Sequence, residues 1–278
     1  MGIIDLEYRG RLAIITINNP QKLNALDMHS YYDIAQKLRE VAKHDEVYIT
    51  LLIGKGRYFS AGADVSISRK KPSDMTTAED ANEIDTRQLW LRSFVPYNLN
   101  ITQAFFTHPK ILVAALNGPA VGLSAALVAH ADFVYAVPST FLLTPFSSLG
   151  LVAEGGASRA LVTRLGVAKA NEALIMSKRI GIDELVATGF VNKVFDCDVN
   201  EDDAKFRELV VKEIDDRLGE HLVGDSLLGI KALIRRPEID VLEAQNAREV
   251  FAGLDRFVTG VPQEEFRKLA TGQKRHKL

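Results

Sequence analysis

One cysteine, Cys197, stands in a chain of 278 residues, so neither a disulfide framework nor a cysteine-built metal site is available to it. An excess of one charge is also missing: 34 Lys plus Arg face 36 Asp plus Glu, for a formal net charge of −2. That balance gives no electrostatic reason for nucleic acid or an anionic membrane to be the main partner. No apolar run approaches the ~20 residues that span a bilayer. The opening MGIIDLEYRG lacks the basic-then-apolar order of a secretory signal, and Leu6 stands where a myristoylation signal has Ser or Thr. There is no GxxxxGK[ST] phosphate loop, no GxGxxG, no HExxH and no GxSxG, which disfavours phosphate-loop, dinucleotide, zinc and serine-elbow chemistry. The six histidines (29, 44, 108, 130, 221 and 276) show no paired ligand spacing. His130, in SAALVAHAD, reads as a packed or interface histidine. The expectation is a soluble, intracellular protein that does its work with few polar groups.

Apolar side chain is present in the usual amount, 47% of residues, enough for a sizeable core. Short runs that are apolar at consecutive positions occur at 12–17, 49–53, 111–116 and 133–137, as in strands buried on both faces. Between the first two, Tyr31, Ile34, Ala35, Leu38, Val41 and Ala42 recur at helical spacing behind the potential cap Asp27. Strand–helix–strand order predicts an α/β domain. Residues 65–85 turn polar and charged and read as a surface insertion. Beyond Ala157 the pattern is nearly all helical, with helices expected at 203–222, 225–235 and 238–258. The expected division is a core over 1–198 and a helical, oligomerising part over 199–278.

Three glycine-containing turns follow the strand runs. In FSAGAD (59–64) and NGPAVGLS (117–124), Gly62 and Gly122 allow backbone angles that turn the next amide, of Ala63 or Leu123, out of a ladder. Leu123 would also open a helix, whose first N–H groups have no internal acceptor. Two such amides aimed at one point form an oxyanion hole, whereas either alone is ordinary strand-to-helix punctuation. In the third turn, LGLVAEGG (149–156), Glu154 lies in an apolar setting with no basic residue between Thr140 and Ser158. Such surroundings disfavour the carboxylate and raise its basicity, as a general base requires.

With NNPQKLNAL (18–26), FSAGAD, NGPAVGLSAALVAHADF (117–133) and LGLVAEGG in this order, the chain resembles the crotonase (enoyl-CoA hydratase/isomerase) superfamily over residues 12–194. The resemblance implies a spiral of ββα units, trimers or hexamers, and an acyl-CoA thioester handled without metal or redox cofactor. By position it implies oxyanion amides at Ala63 and Leu123, and CoA contact along Lys22, Leu23, Asn24, Ala25 and Leu26. The two glutamates of the hydratases correspond to Ala126 and Phe146, so hydration is expected to be poor. The lone Glu154 matches the pattern of Δ3,Δ2-enoyl-CoA isomerases, most like the fungal peroxisomal members. Phe146 would then wall the acyl pocket, and Asn98, in VPYNLNIT, would lie near the base. Competing expectations are dienoyl-CoA isomerisation, weak hydration, or a silent crotonase-fold scaffold. Phe266, Arg267 and Lys268 are read either as reaching CoA phosphates of a neighbouring subunit or, equally, as a solvated helical charge cluster. The C-terminal HKL resembles the SKL address and implies the peroxisomal matrix, reached through its import receptor.

Overall fold

Strands that are apolar on consecutive positions must be covered on both faces, and here helices from both ends of the chain supply the cover. The structure, a computed structural model, describes residues 2–64, 85–200 and 202–275. Its strands are β1 (Ile4–Arg9), β2 (Leu12–Ile17), β3 (Ile49–Gly54), β4 (Ile111–Leu116), β5 (Ala120–Val121), β6 (Phe133–Ala136), β7 (Phe141–Leu143), β8 (Ile180–Gly181) and β9 (Lys193–Val194). Six of them form a sheet in the order β1-β2-β3-β4-β6-β9, antiparallel only at β1–β2; β5, β7 and β8 form a small second sheet.

The helices are α1 (Met28–Ala42), α2 (Thr86–Ser93), α3 (Val95–Phe106), α4 (Leu123–Val128), α5 (Ala157–Leu165), α6 (Val167–Leu174), α7 (Ile182–Ala187), α8 (Asp203–Leu218), α9 (Gly224–Val258) and α10 (Val261–Ala270). On one face of the large sheet Ile15, Leu52 and Ala114 pack with Ile34 and Leu38 of α1 and Phe105 of α3. On the other, Ile14, Leu51 and Val113 meet Phe206, Val210 and Ile214 of α8. α9 packs against α2, α3 and α5, and α10 folds back on the 3-10 turn Ser147–Leu149.

The expected α/β core is present, and Asp27 caps α1 by accepting the Ser30 N–H at 2.8 Å. Two expectations change. The helices expected at 225–235 and 238–258 are one helix of 35 residues with Pro237 inside it. The carbonyl that Pro237 leaves without a donor, that of Leu233, lies on a strongly exposed residue (74%), where water can satisfy it. The small sheet and β1 also went unanticipated: β1 carries Asp5, Glu7 and Arg9 on an edge, and the small-sheet strands have two or three residues each. Residues 65–84 of the expected insertion, and the tripeptide 276–278 tied to the peroxisomal expectation, lie outside the described residues. Among the described residues no helix is long and apolar enough to cross a membrane.

Candidate active site

The turns that follow β3 and β4 are stitched together. Ser60 N–H donates to Pro119 O at 3.2 Å and Val121 N–H to Ser60 O at 2.9 Å. Gly62 adopts φ 84°, and a Cβ there would come within 2.8 Å of Val121 O, so only glycine allows this approach. Leu26 N–H bonds Gly62 O, and Asp64 N–H bonds Leu26 O, both at 2.9 Å, which leaves the Ala63 N–H between them out of the ladder. Leu123 opens α4 behind Gly122 (φ 61°), so its N–H has no helical acceptor. Among the described residues neither N–H donates to an acceptor, and both residues line the same cavity.

A hydroxyl chain braces these turns from behind. The buried Tyr31 Oη lies 3.1 Å from Ser124 Oγ, which donates to Ser60 Oγ at 2.9 Å. Ser60 Oγ donates to Asn24 O at 2.9 Å and accepts the Gly62 N–H at 3.1 Å. Sequence reading missed this set. Tyr31 sits on the apolar stripe of α1 and reads as core, and the two serines are 64 residues apart.

Glu154 reaches the cavity from the third turn. It is 8% exposed, and its Oε2 accepts one hydrogen bond, from Asn98 Nδ2 of α3 at 3.0 Å. Burial raises its pKa from 4.5 to about 7; the Asn98 bond works against the rise and the charge of Glu249 adds to it. The following peptide is fixed on α4: a Cβ on Gly155 would meet Leu123 Cδ1 at 2.8 Å and Ala126 Cβ at 2.9 Å. His130 Nε2 donates to Gly155 O at 2.8 Å, and burial holds its pKa at about 4, so the ring is neutral and packed. The helix that presents the Leu123 amide therefore also sets the turn that carries the acid.

The cavity holds about 290 Å³. Ala63, Leu123, Glu154, Asn98, Phe146 and Leu26 all line it, so five of the expected site positions and one of the expected CoA-contact positions converge. Beyond them the walls are largely apolar, with Trp90, Phe94, Ile101, Leu151 and Phe257 among them and the Trp90 and Phe257 rings stacked 4.5 Å apart. Phe266 and Leu269 of α10 close it from the same chain. Phe266 lines this chain's own cavity, while Arg267 pairs with Glu264 and Lys268 with Glu265 on the helix surface, the arrangement expected of a solvated charge cluster. The aromatic wall was not legible because α2 is far in sequence from the consecutive helices α9 and α10.

Of the expected CoA segment, Leu23 and Asn24 adopt left-handed φ of 52° and 55°. Asn24 is wholly buried, its side chain accepting Asn19 N–H at 2.8 Å and donating to Lys55 O at 2.9 Å and Tyr58 O at 2.7 Å. Lys22 Nζ pairs with Asp64 Oδ2 at 3.0 Å, and Ala25 N–H closes a turn on Lys22 O at 3.0 Å. Ala126 is buried beneath Gly155, so a carboxylate in its place would have no room without moving that turn. Among the described residues the other two carboxylates lining the cavity are committed: Asp27 to the cap of α1, Asp64 to Lys22. Among the described residues no cluster of three or more His, Cys, Asp or Glu could hold a metal ion.

A buried carboxylate and two amides without an acceptor among the described residues line one cavity, an arrangement that can pair a proton acceptor with donors for a charged oxygen. Residues 7–215 match the family model described as enoyl-CoA hydratase/isomerase, and the chain belongs to this family. It is 70% identical to the Δ(3,5)-Δ(2,4)-dienoyl-CoA isomerase of Pyricularia oryzae, covering 100% of this chain and 99% of that one. It is 35% identical to the 3,2-trans-enoyl-CoA isomerase of Saccharomyces cerevisiae, over 99% and 96% of the two chains. A solved enoyl-CoA hydratase from Bacillus halodurans superposes with a TM-score of 0.81 over 96% of this chain and 99% of that one; at 19% identity it speaks for the fold alone. The crotonase fold expected from the four motifs is thus the fold observed.

Proposed function

We propose that this chain isomerises unsaturated acyl-CoA thioesters, and that its main reaction moves a 3-enoyl-CoA double bond to the trans-2 position. The observation that carries the reading is Glu154, the one uncommitted carboxylate among the described residues of the cavity that also holds the Ala63 and Leu123 amides. In the proposed reaction the thioester oxygen accepts both N–H groups. Glu154 takes a proton from C2, and the electron pair spreads through the C3–C4 double bond into a dienolate whose charge collects on the held oxygen. The Glu154 O–H then delivers the same proton to C4, the C2–C3 double bond forms, and the carboxylate is restored. A base titrating near 7 suits both halves, strong enough to take the proton and weak enough to return it. No water is split, which accords with Ala126 and Phe146 at the positions where hydratases carry acids.

The carbon chain beyond C4 would lie along the aromatic wall, and the CoA end along Lys22–Leu26 by way of backbone. Self-association is part of the proposal, through the face of α9 that exposes Ile230, Leu233 and Ile234.

A second reading, 3,5-dienoyl to 2,4-dienoyl transposition, is supported by the name of the 70% identical relative. It carries the proton from C2 to C6, a longer reach for one carboxylate, and no second uncommitted acid lines the cavity among the described residues. Both readings are tested by mixing the protein with 3-hexenoyl-CoA and with 3,5-octadienoyl-CoA and following ultraviolet absorbance of the conjugated products. Faster turnover of 3-hexenoyl-CoA, lost in Glu154→Gln, is expected. Turnover of the dienoyl ester alone would favour the second reading, and activity with neither would favour a silent scaffold.

A further inference from the structure

Glu249 of α9 is a second buried carboxylate, 5% exposed, for which the reaction just proposed has no use. Its Oε2 accepts the Gly156 N–H at 2.7 Å, its Oε1 accepts the Ser158 N–H at 2.8 Å and the Ser158 hydroxyl, and the Ala157 N–H also faces it. Gln245, one turn earlier on α9, donates to Ser158 Oγ at 2.7 Å. These amides are the first turn of α5, whose capping position is Gly156, a residue with no side chain to offer. Helix N-termini carry orphan donors and partial positive charge, and an acidic group there normally comes from the adjoining sequence. Here it comes from a residue 93 positions away.

The amides that Glu249 holds follow directly on Glu154. We infer that Glu249 is a positioning residue for the base: it locks the 154–158 turn and cancels the positive end of α5, keeping Glu154 a strong proton acceptor. The inference rests on Glu154 being the base. The two carboxylates share one short turn and divide their duties by their surroundings. Burial pushes the pKa of Glu249 up as it does that of Glu154, but the N–H and O–H donors around Glu249 work against the rise, while Glu154 has a single amide donor. Other groups facing Glu154 do not disturb this division. Asn98 from α3 is uncharged, Tyr31 from α1 has its phenol pushed up by burial, and His130 beyond α4 is kept neutral by burial.

The test is the pH dependence of kcat/KM with 3-hexenoyl-CoA for wild type, Glu249→Gln and Glu249→Asp, with thermal melting to establish folding. Wild type should rise through a limb near 7. Glu249→Gln removes the neighbouring negative charge, so ionised Glu154 becomes easier to form and the limb should move down by about one pH unit, with a lower plateau. Glu249→Asp keeps the charge and should restore the limb while the plateau stays reduced. A limb in Glu249→Gln that coincides with wild type would overturn the inference, since a purely structural role lowers the plateau alone. Should Glu249→Gln not fold, Ser158→Ala serves: with one donor gone, the Glu249 charge is less offset and the limb should move up, and an unmoved limb again overturns it. The Glu154 carboxyl band, taken as the infrared difference between wild type and Glu154→Gln across pH, reports the same displacements without turnover. Inactive wild type would therefore count against the proposed reaction and not against Glu249.

Discussion

Asp132 and Glu154 are both buried acids, and the molecule treats them in opposite ways. Asp132 Oδ2 accepts Lys231 Nζ at 2.7 Å and the Leu112 N–H at 2.8 Å, and its Oδ1 accepts Arg235 at 2.7 and 3.1 Å. Burial pushes its pKa up, but Lys231 and Arg235 outweigh this and hold it below the ordinary range. Glu154 has one neutral donor, and burial wins. A saturated acid is fixed in charge and joins β4 and the end of α4 to α9. An acid left short of partners can change charge, which is the property proton transfer needs. Under-pairing costs stability, and under the proposed reaction that cost falls where the proton moves.

The contrast can be broken in several ways. Glu154→Gln should lower kcat by at least ~10²–10⁴-fold, the usual worth of a positioned base; turnover within tenfold of wild type would erase the distinction. The same variant should be the more stable protein at alkaline pH. The raised pKa means the folded state binds the proton more tightly, so wild type loses stability as pH climbs from 4.5 to about 7. At ~1.4 kcal/mol for each pH unit, that loss is about 3 kcal/mol. Urea titrations at pH 5 and pH 8 should therefore show Glu154→Gln gaining on wild type only at the higher value.

Asp132→Asn should do the reverse, destabilising by about 3–5 kcal/mol because Lys231 and Arg235 are left without a counter-charge. Turnover of the molecules that remain folded should stay within twofold of wild type. Ser124→Ala cuts the hydroxyl chain behind the turns that carry the Ala63 and Leu123 amides. A loss of about 1 kcal/mol, seen as a several-fold lower kcat with KM nearly unchanged, would sharpen the view that those turns are held rigid. The smallest effect is expected of Asn98→Leu: removing the donor that favours ionised Glu154 should move the kcat/KM limb upward by about half a pH unit or more.

Local pattern revealed the parts of the site that reside in single segments. Gly62 and Gly122 marked turned-out amides, and the basic-free stretch around Glu154 marked a carboxylate whose pKa burial would lift. The helix of α1 and the central strands followed from period and cap. The parts assembled from distant segments left no local mark: the Tyr31–Ser124–Ser60 chain, the Trp90–Phe257 stack and Glu249 on the first turn of α5. Pro237 lies inside α9, where a break is the usual result of proline, and the exposure of Leu233, whose carbonyl loses its donor, lets water stand in for it. β1 was hidden by its charges, since an edge strand has just one face to bury.

The proton's own path tests the central claim most directly. With 3-hexenoyl-CoA deuterated at C2 and a single turnover in ordinary water, one carboxylate serving both carbons predicts that part of the deuterium reappears at C4 of the product. The same experiment with Glu154→Gln should give no product on that time scale. Product from wild type that carries only solvent hydrogen at C4, under conditions where C2 deuterium is demonstrably lost, would contradict a single acid shuttling between the two positions.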